Sequence, residues 1–161
     1  MPLRPVRFIG YGGISSVSAA IGVNYGLLGD NLPSPTKVVS LLQSRNIRAT
    51  RLFDRNPDAL NALNNSDIEV ILGTLNQDIP QLASDPSFAS SWVQTNVLSY
   101  SSRIKFHYVS VGNKVIPSDL SGYVLKAMQN LKAALESANQ PIPVATMVST
   151  QVLGSSYPPS E

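Results

Sequence analysis

The feature that most constrains this chain is a repeated alternation of short apolar runs with longer segments of helical periodicity. From Ala20 onward, clusters of Pro, Asn, Asp and Gly separate these segments, and the apolar runs occupy residues 21–25, 49–53, 69–73, 106–111 and 144–148. Residues 70–72 are apolar without alternation, which is typical of a strand covered on both faces. Strands that alternate with helices form βαβ units, so the sequence predicts an α/β fold with a parallel sheet.

The helical segments begin with a recurring pair of residues. Ser34–Pro35, Asn56–Pro57 and Asp85–Pro86 each place an N-cap side chain before a proline at the first helical position. The longest segment, 120–138, carries an apolar stripe at three- and four-residue steps, formed by Leu120, Tyr123, Val124, Ala127, Met128, Leu131, Ala134 and Leu135. Such a stripe indicates a helix face that packs in the core.

The number of strand–helix units limits the architecture. The chain of 161 residues holds four such units and a fifth strand, whereas a complete (β/α)8 barrel has eight strands and about 250 residues. Right-handed crossovers keep consecutive strands adjacent, so the sheet order should follow the sequence. The sequence therefore predicts a half TIM barrel over residues 20–161, with open edges on its first and fifth strands.

Composition excludes several classes of site. The chain has no cysteine and one histidine, His107, inside an apolar run, which excludes disulfides and argues against a metal cluster or a catalytic triad. The net charge is +2 and the basic residues are scattered singly, which argues against nucleic acid as a partner. No apolar stretch reaches the length of about 20 residues that a spanning helix needs. We therefore predict no metal, no cofactor and no membrane span.

Residues 1–19 differ from the rest of the chain. They carry Arg4 and Arg7, then a mildly apolar stretch that glycines interrupt, then small residues before Ala20. This is the pattern of a weak secretory signal. We interpret residues 1–19 as a leader or degraded signal segment without folded structure, and residues 20–161 as the domain.

Three segments carry a resemblance to a known family. They have the sequences IGVNYG at 21–26, WVQTNV at 92–97 and FHYVSVGNKV at 106–115. In combination they resemble the plant endo-1,3-β-glucanases of glycoside hydrolase family 17. The resemblance implies a barrel fold, 1,3-β-glucan as the substrate class, and a secreted or vacuolar location.

The resemblance also implies roles for individual residues. The family motif that matches 111–115 reads Val-Gly-Asn-Glu-Val and its glutamate is the general acid, whereas this chain has Lys114 at that position. By the same resemblance, Asn113 bonds the sugar's 2-hydroxyl and Tyr25 lines the sugar cleft, so these two are the predicted substrate-binding residues. A second interpretation of Tyr25, packing at a strand end, stays open. We interpret Asp54 as a structural carboxylate that accepts from loop or helix N–H groups.

The residue at 114 bears directly on catalysis. Retaining glycoside hydrolysis needs two carboxyl groups about 5 to 5.5 Å apart, one as acid and one as nucleophile. A lysine is a poor proton donor at neutral pH, and by the resemblance the nucleophile lies on a seventh strand, beyond Glu161. We therefore predict no catalytic residue in this chain.

Three functions are open at this point. The first is a truncated 1,3-β-glucanase-like protein that has no hydrolase activity and retains weak 1,3-β-glucan binding. The second is an active hydrolase that a partner chain completes. The third is an interaction protein, unrelated to sugars, that forms a homodimer through its open strand edges. Lys114 and the missing nucleophile favour the first.

Overall fold

The computed structural model describes residues 5–7 and 21–153. Within them one sheet has six strands, β1 (Pro5–Arg7), β2 (Ile21–Tyr25), β3 (Ala49–Leu52), β4 (Glu69–Gly73), β5 (Phe106–Val111) and β6 (Val144–Thr146), and they lie in sequence order. The strands β2 to β6 are parallel. The predicted α/β fold with a sequentially ordered parallel sheet is therefore confirmed.

The strand β1 lies within residues 1–19, which were expected to have no folded structure. Residues Pro5–Arg7 pair antiparallel with β2, with Val6 opposite Gly22, so part of the predicted leader forms a strand. An outer strand exposes unpaired backbone groups that an extended segment can satisfy, and a proline is tolerated at such an edge. The prediction of an open edge beside β2 is therefore wrong over these residues. The boundary of the leader stays a prediction.

Five α-helices follow the strands, α1 (Pro35–Ser44), α2 (Pro57–Leu63), α3 (Ile79–Ser84), α4 (Pro86–Val93) and α5 (Ser121–Ser137). Two of the three predicted caps form, since Asn56 Oδ1 accepts from the Ala59 N–H at 2.9 Å and Asp85 Oδ1 accepts from the Ser87 N–H at 2.8 Å. The Ser34 side chain makes no capping bond. The sequence analysis missed α3, a short helix with a proline in its first turn.

The core lies between one face of the sheet and the helices. Alternate strand residues, Val23, Leu52, Val70, Leu72, Val109 and Val111, join a single buried cluster with Val124, Ala127 and Leu131 of α5. The helix α5 packs mainly against α3 and α4, and there the buried Asn130 Nδ2 donates to the Leu82 carbonyl at 2.8 Å. Most of the stripe on 120–138 is therefore a core face, as predicted, but its member Tyr123 is 47% exposed.

The other strand residues point to the opposite face, because side chains alternate along a strand. Ala49, Arg51 and Ile71 lie on this second face, in register across β3 and β4. All three are buried. Arg51 is thus a charged side chain buried on the face toward a barrel axis, while Glu69, opposite Ala49 on the same face, is partly exposed.

The outer edge of the sheet is β6. No strand among residues 5–7 and 21–153 pairs with its far side, and the apolar side chains of Val148, Val152 and Leu153 beyond it are exposed. The homodimer through this edge stays a prediction. None of the helices in the described residues is long and apolar enough to cross a membrane.

Gly73, the last residue of β4, allows the close approach of β3. A Cβ atom placed on Gly73 would lie 2.1 Å from the Phe53 carbonyl oxygen, a backbone atom that cannot move aside cheaply. We expect Gly73→Ala to lower the free energy of unfolding by about 1–3 kcal/mol, the usual cost of overpacking. Urea denaturation followed by circular dichroism measures this change.

The matched control for that substitution is Gly122→Ala in the first turn of α5. A Cβ atom on Gly122 meets nothing within 4 Å, and alanine favours a helix over glycine by up to about 1 kcal/mol. Gly122→Ala should therefore leave the stability unchanged or raise it. Equal losses in the two variants would contradict the close approach at Gly73.

Candidate functional site

The carboxyl ends of the parallel strands meet at one edge of the sheet, where barrels of this kind place their functional groups. The loops that follow β3, β4 and β5 begin there, at Phe53, Thr74 and Gly112. We call this the C-terminal edge. The predicted residues Asn113 and Lys114 both lie on it, in the loop between β5 and α5.

This loop is held by side chains from the end of β4. The Gly112 N–H donates to Thr74 Oγ1 at 3.0 Å. The Asn113 N–H donates to Asn76 Oδ1 at 2.7 Å, and Asn76 Nδ2 donates in turn to the Asn113 carbonyl at 3.2 Å. Asn76 thus satisfies both backbone polar groups of Asn113, as a neighbouring strand would. We call these three bonds the Asn76 clasp.

Gly112 makes the turn into the clasp. Its φ is +68°, and a Cβ atom there would lie 2.7 Å from Ile79 Cδ1. Only glycine adopts this conformation in the available space without strain. The positive φ of Gly112 therefore sets the direction in which the chain continues from β5 to Asn113.

Lys114 has an unusual backbone for its residue type. Among the described residues other than glycine, those with positive φ are Asn46, Asn65, Asp67, Asn139 and Lys114, whose φ is 56°. Asn and Asp tolerate this conformation, because their side chains bond locally, whereas lysine has no such compensation. The Lys114 N–H donates to the Met147 carbonyl at 2.9 Å, which ties the loop to the end of β6.

The Lys114 side chain is exposed. In the described residues Glu69 lies close to His107 and Glu136 pairs with Lys132, and no carboxylate there pairs with the Lys114 side chain. The position that carries an acid in the family motif thus presents a solvated cation. It supplies a donor but no carboxyl group.

Arg51 is a site residue that the sequence analysis missed. Its side chain is 7% exposed, its Nη2 donates to Asn113 Oδ1 at 3.1 Å, and its guanidinium lies 4.6 Å from the centre of the Phe53 ring. Burial lowers the pKa of Arg51. The available signal was a single charge inside the apolar run 49–53, since a buried cation needs a reason to be there.

Tyr25 lies apart from this group. It is 7% exposed within the core cluster, and its hydroxyl has no hydrogen-bond partner in the described part of the chain. Burial raises the pKa of Tyr25. The structure brings Arg51 and Asn76 to Asn113, whereas Tyr25 ends β2, which two intervening strands separate from β5.

Three carboxylates lie in the segments that follow the strands at the C-terminal edge. Asp54 is half-buried and follows β3, Asp78 is half-buried in the turn after β4, and Asp119 is exposed in the loop after β5. Of these three, the sequence analysis named only Asp54, and it did not predict the short turn at 76–78 that carries Asp78. None of the three forms an ion pair within the described residues.

Two further polar features lie near the amino ends of the strands, on the side opposite the C-terminal edge. His107 Nδ1 lies 3.3 Å from Glu69 Oε2 near the amino ends of β5 and β4. A cavity of about 200 Å³ also opens on that side, lined by Gln43, Asn46, Ile47, Arg48, Ser66, Asp67 and Ile68. Within 5–7 and 21–153, no three His, Asp or Glu side chains form a group that could hold a metal ion.

Comparison with known proteins assigns the family. The model for "Glycosyl hydrolases family 17" matches residues 21–161. A glucan endo-1,3-beta-glucosidase of Vitis vinifera is 44% identical over 169 residues, covering 99% of this chain and 49% of its own length. The chain spans about half the length of the curated relatives it matches, from 41% to 49% for three of them.

Solved structures agree with this assignment. A plant beta-glucan endohydrolase superposes with a TM-score of 0.81 at 38% identity, covering 87% of this chain and 45% of its own. The pollen beta-1,3-glucanase and allergen CJP38 of Cryptomeria japonica gives a TM-score of 0.81 at 40% identity, covering 87% and 46%. The fold is thus part of the barrel of these plant enzymes. With the matched family model and the shared strand–helix order, the chain belongs to glycosyl hydrolases family 17.

Proposed function

We propose that this chain binds 1,3-β-glucan at its C-terminal edge and does not hydrolyse it. The observation that carries the proposal is the pair of residues at 113 and 114. Asn113 is held by the Asn76 clasp with its side chain half-exposed, while Lys114 replaces the carboxyl group of the family motif. Position 113 therefore retains a donor for a sugar, while position 114 lacks the acid of the family motif.

The charge at position 114 supports this proposal on chemical grounds. A general acid works best when its pKa lies near the pH of the reaction. Lys114 instead places an exposed amine where the family motif has a carboxyl group, and that amine offers hydrogen-bond donors to a ligand. By the family resemblance, we also propose a secreted or vacuolar location.

Two further functions remain as alternatives to this proposal. A hydrolase completed by a partner chain would need that partner to supply both an acid and a nucleophile near Asn113. A homodimer unrelated to sugars would use the outer side of β6 instead. Neither has an observation in its favour comparable to the clasped asparagine.

Hydrolysis is tested with the purified 161-residue chain on a laminarin-type 1,3-β-glucan. We expect no release of reducing sugar above the blank, and none from Lys114→Glu, because the second carboxylate of the family mechanism is not matched within these residues. Lys114→Gln serves as the control for removing the charge alone. Release by the unmodified chain would overturn the proposal, and release by Lys114→Glu alone would show that this lysine is the sole block.

Binding is tested by retention on insoluble 1,3-β-glucan. Asn113→Ala should weaken the retention by about 5- to 10-fold, the effect of one lost hydrogen bond of about 1–1.5 kcal/mol. The matched control is Asn61→Ala, the same change on the exposed surface of α2. Equal retention of both variants and the parent would show that Asn113 does not contact the glucan.

For Tyr25 we propose that its hydroxyl makes a further sugar contact. An unpaired buried hydroxyl costs about 1–3 kcal/mol, and a glucan oxygen at the end of β2 would relieve that cost. Tyr25→Phe should therefore reduce glucan retention several-fold without lowering the midpoint of urea unfolding. Unchanged retention would mean that Tyr25 is a packing residue only.

The same variant tests the burial of Tyr25 through pH. Because burial raises the pKa of Tyr25 above its ordinary value of 10.0, the folded chain holds this proton after the unfolded chain has lost it. The stability from this effect is complete below pH 10.0 and declines as the pH rises toward the folded pKa. Tyr25→Phe should show a shallower alkaline loss of stability than the parent in urea titrations at successive pH values.

A further inference from the structure

The guanidinium of Arg51 is a buried cation without a carboxylate partner in the described residues. The ion pairs there involve other side chains, and the Arg51 Nε atom is buried and lacks any hydrogen-bond partner. A buried charge is costly unless it is paired. Its stacking on Phe53 offsets only part of that cost.

The one side-chain bond of Arg51 fixes the orientation of an amide. An arginine has donors and no acceptor, so the Asn113 atom at 3.1 Å from its Nη2 must be the oxygen. The amide of Asn113 cannot turn over without placing an NH2 group against the buried cation. Chemistry alone therefore settles which end of the amide faces Arg51.

The backbone of Asn113 is held on both of its polar groups. Asn76 binds both the N–H and the carbonyl of Asn113, and Gly112 is fixed by Thr74. Since the Asn113 oxygen is turned inward to Arg51, the Nδ2 group is the part of this half-exposed side chain that remains for a ligand. It can donate two hydrogen bonds and accept none.

We propose that Arg51 is a positioning residue that holds Asn113 with its Nδ2 group as a donor toward the C-terminal edge. The group that binds at Asn113 is then a hydrogen-bond acceptor, such as a sugar hydroxyl oxygen. The identity of that ligand rests on the proposed glucan binding. The orientation of the amide does not, and it can be tested without any glucan.

The test is Asn113→Asp, which separates stability from binding. The new carboxylate would face Arg51 and supply the missing counter-charge, so the melting temperature should rise by about 3 °C or more. The same change removes the Nδ2 donor, so retention on insoluble 1,3-β-glucan should fall by about tenfold. If Asn113 does not contact the glucan, the melting temperature should rise while the retention stays unchanged.

Acidification checks the origin of the gain in stability. The aspartate beside Arg51 should have a folded pKa below its unfolded value, so its contribution is present above the unfolded pKa of about 3.9 and is lost as the pH falls through the folded pKa. Asn61→Asp, the same change on the exposed part of α2, should show no such gain at neutral pH. A melting temperature that falls in Asn113→Asp at neutral pH would overturn the proposal.

A second substitution keeps the test valid if a change at Arg51 disturbs folding. Arg51→Lys retains the charge but loses the second donor arm, so Asn113→Asp should raise the melting temperature less in this background than in the parent. An undiminished gain would show that the carboxylate does not act through Arg51. If Asn113→Asp is stabilised while Asn113→Ala keeps full glucan retention, the orientation stands and glucan binding at this residue fails.

Discussion

The register between β4 and β5 is the constraint on which the candidate site depends. Because Leu72 pairs with Val109 and Gly73 with Ser110, the residues that follow β4 come level with those that follow β5. This places Thr74 beside Gly112 and Asn76 beside Asn113, where the Asn76 clasp continues the ladder with side-chain groups. A register slip of one residue would move the side chains of one strand to the other face of the sheet. Every bond of the clasp would then break. Gly73 also allows the Phe53 carbonyl to approach closely from the β3 side.

Much of this fold was predictable, because its signals are local in the sequence. The strand–helix order follows from apolar periodicity, and the caps at Asn56 and Asp85 follow from one side chain binding a nearby N–H. The strand at Pro5–Arg7 and the helix α3 were not predictable in the same way. The strand gains its hydrogen bonds from β2, a partner distant in sequence, and α3 holds its place through contact with α5.

The candidate site likewise has a part that local sequence predicted and a part that depends on contacts between distant residues. Asn113 and Lys114 were predicted, since the family motif occupies consecutive residues. Arg51 and Asn76 act on Asn113 across 62 and 37 residues of sequence, and nothing near either residue records that contact. Tyr25 shows the converse, because its place at a strand end was predicted while its burial in the core depends on how β2 packs against the helices. The sequence therefore predicted which residues lie at strand ends, but it did not predict which side chains contact one another.

The lysine at 114 changes the C-terminal edge in two respects at once. It removes the carboxyl group that the family motif provides, and it adds a positive charge one residue away from the side chain that Arg51 holds. The two cations avoid strong repulsion because they occupy different environments, Arg51 being 7% exposed and Lys114 lying in solvent, where water screens its charge. With the Asn113 oxygen committed to Arg51, positions 113 and 114 present only donors to a ligand. Such a pair can hold oxygen acceptors, yet position 114 carries no carboxyl group. The proposed recognition of a glucan and the proposed lack of acid chemistry would both follow from this one local arrangement of charge.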